Sequence, residues 1–452
     1  MASMMQTRPN RGRAVLRLRY GSELWRQYLA QTPPGPLDRH LAVALRQYPQ
    51  FGSRDRRAYR ELLFAAARFG YLAAFVDYVH RRHGLEQAAA LPALVAGFAQ
   101  EAGSVEAAWD AVRAVPADWL LQTVGQRYQR EGGAEWPLQG LEPLPEAAAI
   151  ERLLDELQRS ELIEARLLWQ GIPLCFAAPL AERAARSGWS AEAREAFLQA
   201  QARQPPLWLR LNRPERQQQV LQELAAHGLE AQACGEAIAV RGAGSIVTLP
   251  CYRDGLVEIQ DWASQQIGLA VAARPGEQVW DACAGAGGKS VQLAVMLAGE
   301  GELHASDVRR HKLAEARRRV HRAGFANLRL FAWDGRETET PAQEFDRVLV
   351  DAPCSSSGVW RRSPDARFRA TQASLARFAS LQPRLLCQAA AAVRPGGRLV
   401  YSTCSWLVAE NEAVVEQFLV RRPEFRLLDW RLHGCPGVDA DTMFSAVLER
   451  QG

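Results

Sequence analysis

A chain of 452 residues, 48% hydrophobic and 23% charged, has the composition of a folded protein of more than one domain and excludes wholesale disorder. Its 55 basic and 50 acidic residues leave a formal net charge of +5, which neither demands nor bars a polyanionic partner. No apolar run of about 18 residues offers a membrane span. No apolar segment follows the arginines of residues 1–13 as a secretory signal requires, so a cytoplasmic protein with no membrane partner is expected.

Residues 14–203 repeat apolar positions at helical spacing, as in Leu62, Leu63, Ala66 and Phe69 and again in Ala149, Ile150, Leu153, Leu154 and Leu157. Breakers at Pro33-Pro34-Gly35, Gly132-Gly133 and Pro143-Leu144-Pro145 separate the runs. The pattern predicts an all-α region over 1–145 and a helical connector over 146–204. Beyond Pro205-Pro206 the spacing predicts a strand at 207–211, a helix ending at Gly228, and short strands at 237–240 and 246–249. These form a small α/β unit over 205–254. Residues 255–452 then alternate. Strands are expected at 278–282, 302–306, 328–332, 347–350 and 398–402, and helices at 289–297, 309–323 and 381–393. Such alternation implies a mainly parallel, doubly wound, Rossmann-like α/β domain.

The eight cysteines include no C-x-x-C pair, which argues against a zinc ribbon or a thioredoxin motif, and no metal is expected. Only Lys289 and Lys312 are lysines among the basic residues. A lysine persisting in so arginine-rich a chain marks a place where a point charge serves and a planar fork does not.

The segment from Asp281 to Lys289 joins a strand to a helix through glycines at 285, 287 and 288, which permit a sharp turn and close approach to a ligand. It fits neither the dinucleotide fingerprint nor the phosphate-binding P-loop. Asp307 follows Gly288 by nineteen residues and ends the next strand, where nucleotide-type folds place a ribose-binding acid. Asp334 and Asp351 lie at the ends of the following strands. Acids ringing a glycine turn repel a polyphosphate and suit ribose hydroxyls, an amine and a positive centre. S-adenosylmethionine has all three.

Asp351-Ala-Pro-Cys354 and Thr403-Cys404 each place a cysteine just past a strand's carboxyl end. Loop amides and helix N-termini there are expected to favour thiolate at both. A thiolate beside a methyl donor suits a pyrimidine: addition at carbon 6 makes carbon 5 nucleophilic, and the thiol leaves after methylation.

These three segments resemble motifs I, IV and VI of the RNA cytosine-C5 methyltransferases, and specifically the bacterial ribosomal RNA branch. The likeness extends to Pro206-Leu-Trp-Leu-Arg-Leu-Asn212, Ile259-Gln-Asp-Trp-Ala-Ser264 and the terminal Met443-Phe-Ser-Ala-Val-Leu-Glu449. The helical part, at Gly52-Ser-Arg-Asp-Arg-Arg57, is similar to that family's NusB-like domain, and 205–254 to its RRM-like lead-in. The resemblance implies a nucleophilic Cys404, a Cys354 that assists release, and an Asp351 that contacts the cytosine beside the donor. It implies that Cys283, Ala284, Gly285, Ala286, Gly287, Gly288 and Lys289 cradle the methionine end of S-adenosylmethionine, with Asp307 on the ribose and Asp334 on the adenine. The family's usual Cys-Ala-Ala-Pro-Gly-Gly-Lys reads Cys-Ala-Gly-Ala-Gly-Gly-Lys here, so a fixed φ is missing from the turn.

Arg361, Arg362 and Lys312 are the candidate RNA contacts, Lys312 within an arginine-rich helix and the arginine pair beside the Cys354 motif. The expected substrate is an unpaired or flipped cytosine in 16S ribosomal RNA, taken by a monomer. A tRNA methyltransferase is one alternative. A DNA cytosine methyltransferase, in which Cys354 attacks, is another, and a catalytically inactive RNA-binding assembly factor is a third.

Overall fold

The computed structural model describes residues 8–31, 34–86, 90–131, 136–242 and 244–452. Pro33 and Gly132-Gly133, read as breakers, lie outside the described residues. Backbone contacts divide the chain into two compact units. One gathers the described residues of Met1–Ala185 with Arg194–Arg203 and Trp360–Ser374; the other holds Arg186–Ala193, Gln204–Val359 and Leu375–Gly452.

The first unit is helical. Its centre is the helix Ser53–His83, rich in Ala, Phe, Tyr and Val. Contrary to the expectation from apolar runs, this helix is long and apolar enough to span a membrane, yet 94% of its apolar window is buried. Helices such as Arg8–Leu29, Val105–Ala114 and Ala117–Gln129 cover it. Ser104 caps Val105–Ala114 by accepting from the Ala107 amide at 3.1 Å. The guanidinium of Arg127 is buried over the rings of Trp169 and Phe69, 3.8 and 4.6 Å from their centroids, and pairs with Glu131. The 360–374 segment belongs here by contact although it follows Cys354 in the chain. Arg367 anchors it, donating from Nη1 to the carbonyls of Arg68, Gln170 and Gly171 at 2.8–2.9 Å.

The second unit carries two sheets. Strands β1 (Leu207–Leu211), β2 (Glu230–Cys234), β3 (Ala237–Arg241) and β4 (Val257–Ile259) form an antiparallel sheet in the order β2-β3-β1-β4. The strand expected at 246–249 is instead a short 3₁₀ turn, Ile246–Thr248, running into Pro250. Its apolar residues still enter this sheet's core, which is why they imitate a strand.

The larger sheet has β5 (Gln278–Asp281), β6 (Glu302–Ser306), β7 (Leu328–Phe331), β8 (Phe345–Asp351), β9 (Val393–Thr403), β10 (Phe425–His433) and β11 (Met443–Arg450). Their order is β10-β11-β9-β8-β5-β6-β7. Strands β5 to β9 pair in parallel, and β11 runs antiparallel to β9 and β10. This is a mixed Rossmann-like sheet, with apolar clusters packed on both faces. The chain reverses its lateral direction between β5 and β8, so their carboxyl ends open a crevice.

Candidate active site

Strand β5 ends on Asp281, which is fully buried. Ser290 donates to its Oδ2 at 2.6 Å, while Oδ1 is buried with no partner. Burial raises this carboxyl to about 7, against the pull of the Ser290 bond. Gly285 and Gly287 hold φ of +54° and +83° in the turn that follows. A Cβ on Gly287 would lie 2.6 Å from Ala316 Cβ, so only glycine lets the helix Arg310–Arg322 close on the turn. Arg319 donates to the Ala286 carbonyl at 2.9 Å and Arg210, from β1, to that of Gly288 at 3.2 Å. These bonds hold the turn where the family's proline is absent.

Asp307, just past β6, accepts from the Gly285 amide at 3.0 Å and from the Arg309 amide at 2.8 Å. Burial alone would raise its carboxyl, but the bonds from Arg309 and Gly285 outweigh it and hold the group below its usual value. The Arg309 guanidinium caps the same carboxylate with two bonds at 2.9 and 3.0 Å, and its side chain is 55% exposed. Asp334 lies beyond β7, half-buried and paired with Arg336 at 3.0 Å. Cys283 is a half-buried thiol, raised well above its ordinary value by burial and then by Asp281, Asp351 and Asp307. It lines the turn, and its surroundings oppose the thiolate form.

Lys289 reaches from the first turn of the helix Gly288–Met296 to Asp351, Nζ to Oδ2, at 2.7 Å. Ser402 of β9 donates to the other oxygen at 2.9 Å. Asp351 is thus fixed by two donors while its side chain remains 29% exposed.

Cys354 Sγ and Cys404 Sγ stand 3.3 Å apart. The expectation that loop amides would favour thiolate at both is corrected. Cys404 is lowered, first by the bond from Cys354, and Ser356 and Lys289 act in the same direction. Cys354 is raised well above its ordinary value, first by that same bond and then by burial. The two thiols titrate as a coupled pair, with ionisation eased at Cys404 and opposed at Cys354. Ser356, held at φ +59°, lies 3.6 Å from Cys404 Sγ. Gly358 donates to the Cys404 carbonyl at 2.9 Å, and a Cβ there would strike the Thr442 carbonyl at 1.7 Å.

Sequence reasoning missed the frame behind the two cysteines. Glu410 is buried and accepts from the Ser355 amide at 2.8 Å, the Ser355 hydroxyl at 2.5 Å and Gln382 at 3.3 Å. Gln382 also donates to the Pro353 carbonyl at 3.0 Å. Asn411 accepts from Thr403 Oγ1 at 2.5 Å and donates to the Ser405 carbonyl at 2.9 Å. The one sequence signal was an acid and an amide just before the helix Glu412–Arg421, which reads as an ordinary helix start.

The expected RNA contacts fall in two different units. Arg361 is corrected: it is 3% exposed, and its Nε donates to the Ala200 and Arg203 carbonyls at 2.9 and 3.2 Å, so it is committed inside the helical unit. Arg362 is half-buried in that unit. Lys312, in the other, pairs with Glu315 at 3.0 Å. On the basic helix, Arg319 and Arg322 pair with the buried Glu258, leaving Arg310, Arg317 and Arg318 exposed.

The residues around the glycine turn fit S-adenosylmethionine. The turn approaches without Cβ atoms, Asp307 is a charged acceptor suited to ribose hydroxyls, and Asp281 keeps one unpartnered oxygen.

A family model described as 16S rRNA methyltransferase RsmB/F matches residues 268–447. The ribosomal RNA small subunit methyltransferase B of Xylella fastidiosa (strain 9a5c) is 34% identical over 387 residues, 81% of this chain and 83% of that protein. The protein of the same name from Pseudomonas syringae pv. tomato is 36% identical over 254 residues, 55% of this chain. The match spans only 56% of that relative's length. A crystal structure of a methyltransferase homolog protein from Pyrococcus horikoshii superposes with a TM-score of 0.51 at 27% identity, covering 60% of this chain and 98% of that one.

Proposed function

We propose, for a chain that belongs to the RsmB/F family of 16S rRNA methyltransferases, that it methylates carbon 5 of a cytosine in small-subunit ribosomal RNA through a covalent Cys404–carbon 6 bond. The observation that carries the reading is the 3.3 Å contact of the Cys354 and Cys404 sulfurs on one rim, where their neighbours lower Cys404 and raise Cys354. The opposite split would favour attack by Cys354, as in the DNA-type alternative.

When bound, S-adenosylmethionine supplies an electrophilic methyl group. Cys283 to Lys289 hold its methionine end, Asp307 the ribose and Asp334 the adenine. Cys404 thiolate adds to carbon 6, and the C5–C6 π pair moves toward carbon 5, which would then bond the donor's methyl carbon as the S–CH3 bond breaks and a neutral thioether leaves. Asp351, fixed by Lys289 and Ser402, orients the cytosine at its exposed edge. Once Cys404 is a thioether, the bond that chiefly raised Cys354 is gone. Cys354 then becomes easier to deprotonate at the stage where a base is needed. Loss of the C5 proton and departure of Cys404 thiolate restore the ring.

The same reading carries a NusB-like helical region, an RRM-like β1–β4 sheet and action as a cytoplasmic monomer. The test is nucleoside analysis of 16S RNA from cells lacking the protein, before and after treatment with purified enzyme and S-adenosylmethionine. Gain of one 5-methylcytidine per RNA is expected, and gain of any other methylated nucleoside overturns the reading.

A further inference from the structure

Among the described residues three that are not glycine hold a positive φ: Ala272, Ala298 and Ser356. Ala272 closes the helix Trp262–Val271, and Ala298 follows the end of the helix Gly288–Met296. A left-handed residue is an ordinary helix ending at both places. Ser356 ends no helix. It stands at φ +59° in the loop after β8, directly before the 3₁₀ turn Ser357–Val359. A side chain there is strained in a way that glycine is not, and such strain persists only where neighbours over-determine the backbone.

The neighbours do so here. On one side the Ser355 amide is held by Glu410 at 2.8 Å. On the other, Gly358 donates to the Cys404 carbonyl and accepts from the Thr442 amide, each at 2.9 Å. Three serines in a row then divide their hydroxyls. Ser355 commits its own to Glu410, and Ser357 bonds Ser405 at 2.8 Å; both serines are buried. Ser356 is half-buried and turns its hydroxyl to the rim, 3.6 Å from Cys404 Sγ, while its amide donates to Cys354. A hydroxyl can accept from the S–H of a thiol and rotate to donate to a thiolate. The other groups facing Cys404 are Cys354 and Asp351 from the β8 end and Lys289 from the helix Gly288–Met296. Asp351 opposes the anion and is itself bonded to Lys289 at 2.7 Å, and Cys354 carries an ionisable proton. Ser356 is the facing donor with neither a charge partner nor a proton to lose near neutral pH.

We propose that Ser356 is a further catalytic residue, donating a hydrogen bond to Cys404 Sγ whenever that sulfur carries negative charge, before it adds to the ring and again as it departs. The proposal deepens the covalent reading above and rests on it. The test compares Ser356→Ala and Ser356→Gly with the unaltered chain in three measurements: iodoacetamide labelling of the Cys404 peptide across pH, single-turnover methyl transfer, and thermal melting. Alanine keeps the backbone strain and loses the hydroxyl, whereas glycine loses both. In both variants the labelling curve is expected to move about 0.5 higher on the pH axis, and transfer to slow about fivefold. Ser356→Gly should melt about 2 °C above Ser356→Ala, so slow transfer in the more stable variant separates the hydroxyl from loop stability. A labelling curve that stays in place in either variant, or full transfer by Ser356→Gly, overturns the proposal. Labelling needs neither RNA nor S-adenosylmethionine. If the curve moves in both variants but the unaltered chain forms no 5-methylcytidine, the bond from Ser356 stands and the functional reading fails.

Discussion

The loops after β8 and β9 each carry one cysteine at the same rim, and physics treats the two in opposite ways. Cys354 is raised by its contact with Cys404, by burial and by the charge of the buried Glu410. Cys404 receives that contact, with Ser356 and the Lys289 ammonium also on the side of the anion. The lesson is that one rim gives like residues opposite proton affinities through their neighbours, and a motif alone does not rank them.

The sharpest break of this comparison is at the favoured sulfur. Cys404→Ala should lower single-turnover methyl transfer by roughly 10⁴-fold or more, because the proposed reading gives the attack to this sulfur. Comparable loss from Ser356→Ala would instead point to general disruption of the loop.

The next effect falls on the frame. Glu410→Ala removes the acceptor for the Ser355 amide, the Ser355 hydroxyl and Gln382 at once. Stability should drop by about 2 kcal/mol or more in denaturant titrations, since buried donors are left unmatched. Glu410→Gln keeps one acceptor oxygen and should lose less. Equal stability of all three proteins would remove Glu410 from the account.

The smallest effect is a shift along the pH axis. Thiolate is the reactive form, so alkylation by iodoacetamide rises with pH, and a lowered thiol reaches half its maximal rate at lower pH. Cys404 should therefore react at a pH below that of an ordinary thiol. Cys354→Ala deletes the donor that lowers it most, and the curve for Cys404 should move to higher pH. A curve that stays put would show that Ser356 and Lys289 carry the shift.

Much of this was legible because strand ends advertise themselves. A buried apolar strand followed at once by an acid or a cysteine, as at Asp281, Asp351 and Cys404, places the side chain on the crevice rim before any coordinates are seen. What escaped was non-local. Strand β2 is an exposed edge whose Ala and Gln residues lack the apolar alternation of a strand. The helix Gln372–Ala390 starts well before the expected 381 and contains Pro383, which reads as a breaker. Arg361 reads as a surface cation beside a motif, yet its segment folds into the helical unit and buries it. Glu410 and Asn411 act only because β8 and β9 are neighbours, which spacing along the chain does not reveal.

The central claim concerns which sulfur bonds to the ring. The direct measurement is the intact mass of each protein after incubation with S-adenosylmethionine and RNA carrying 5-fluorocytosine at the target. A fluorine at carbon 5 cannot leave as a proton, so the covalent species persists. The account predicts an RNA-linked mass for the unaltered chain and for Cys354→Ala, and none for Cys404→Ala. An adduct on Cys404→Ala that vanishes in Cys354→Ala would contradict it.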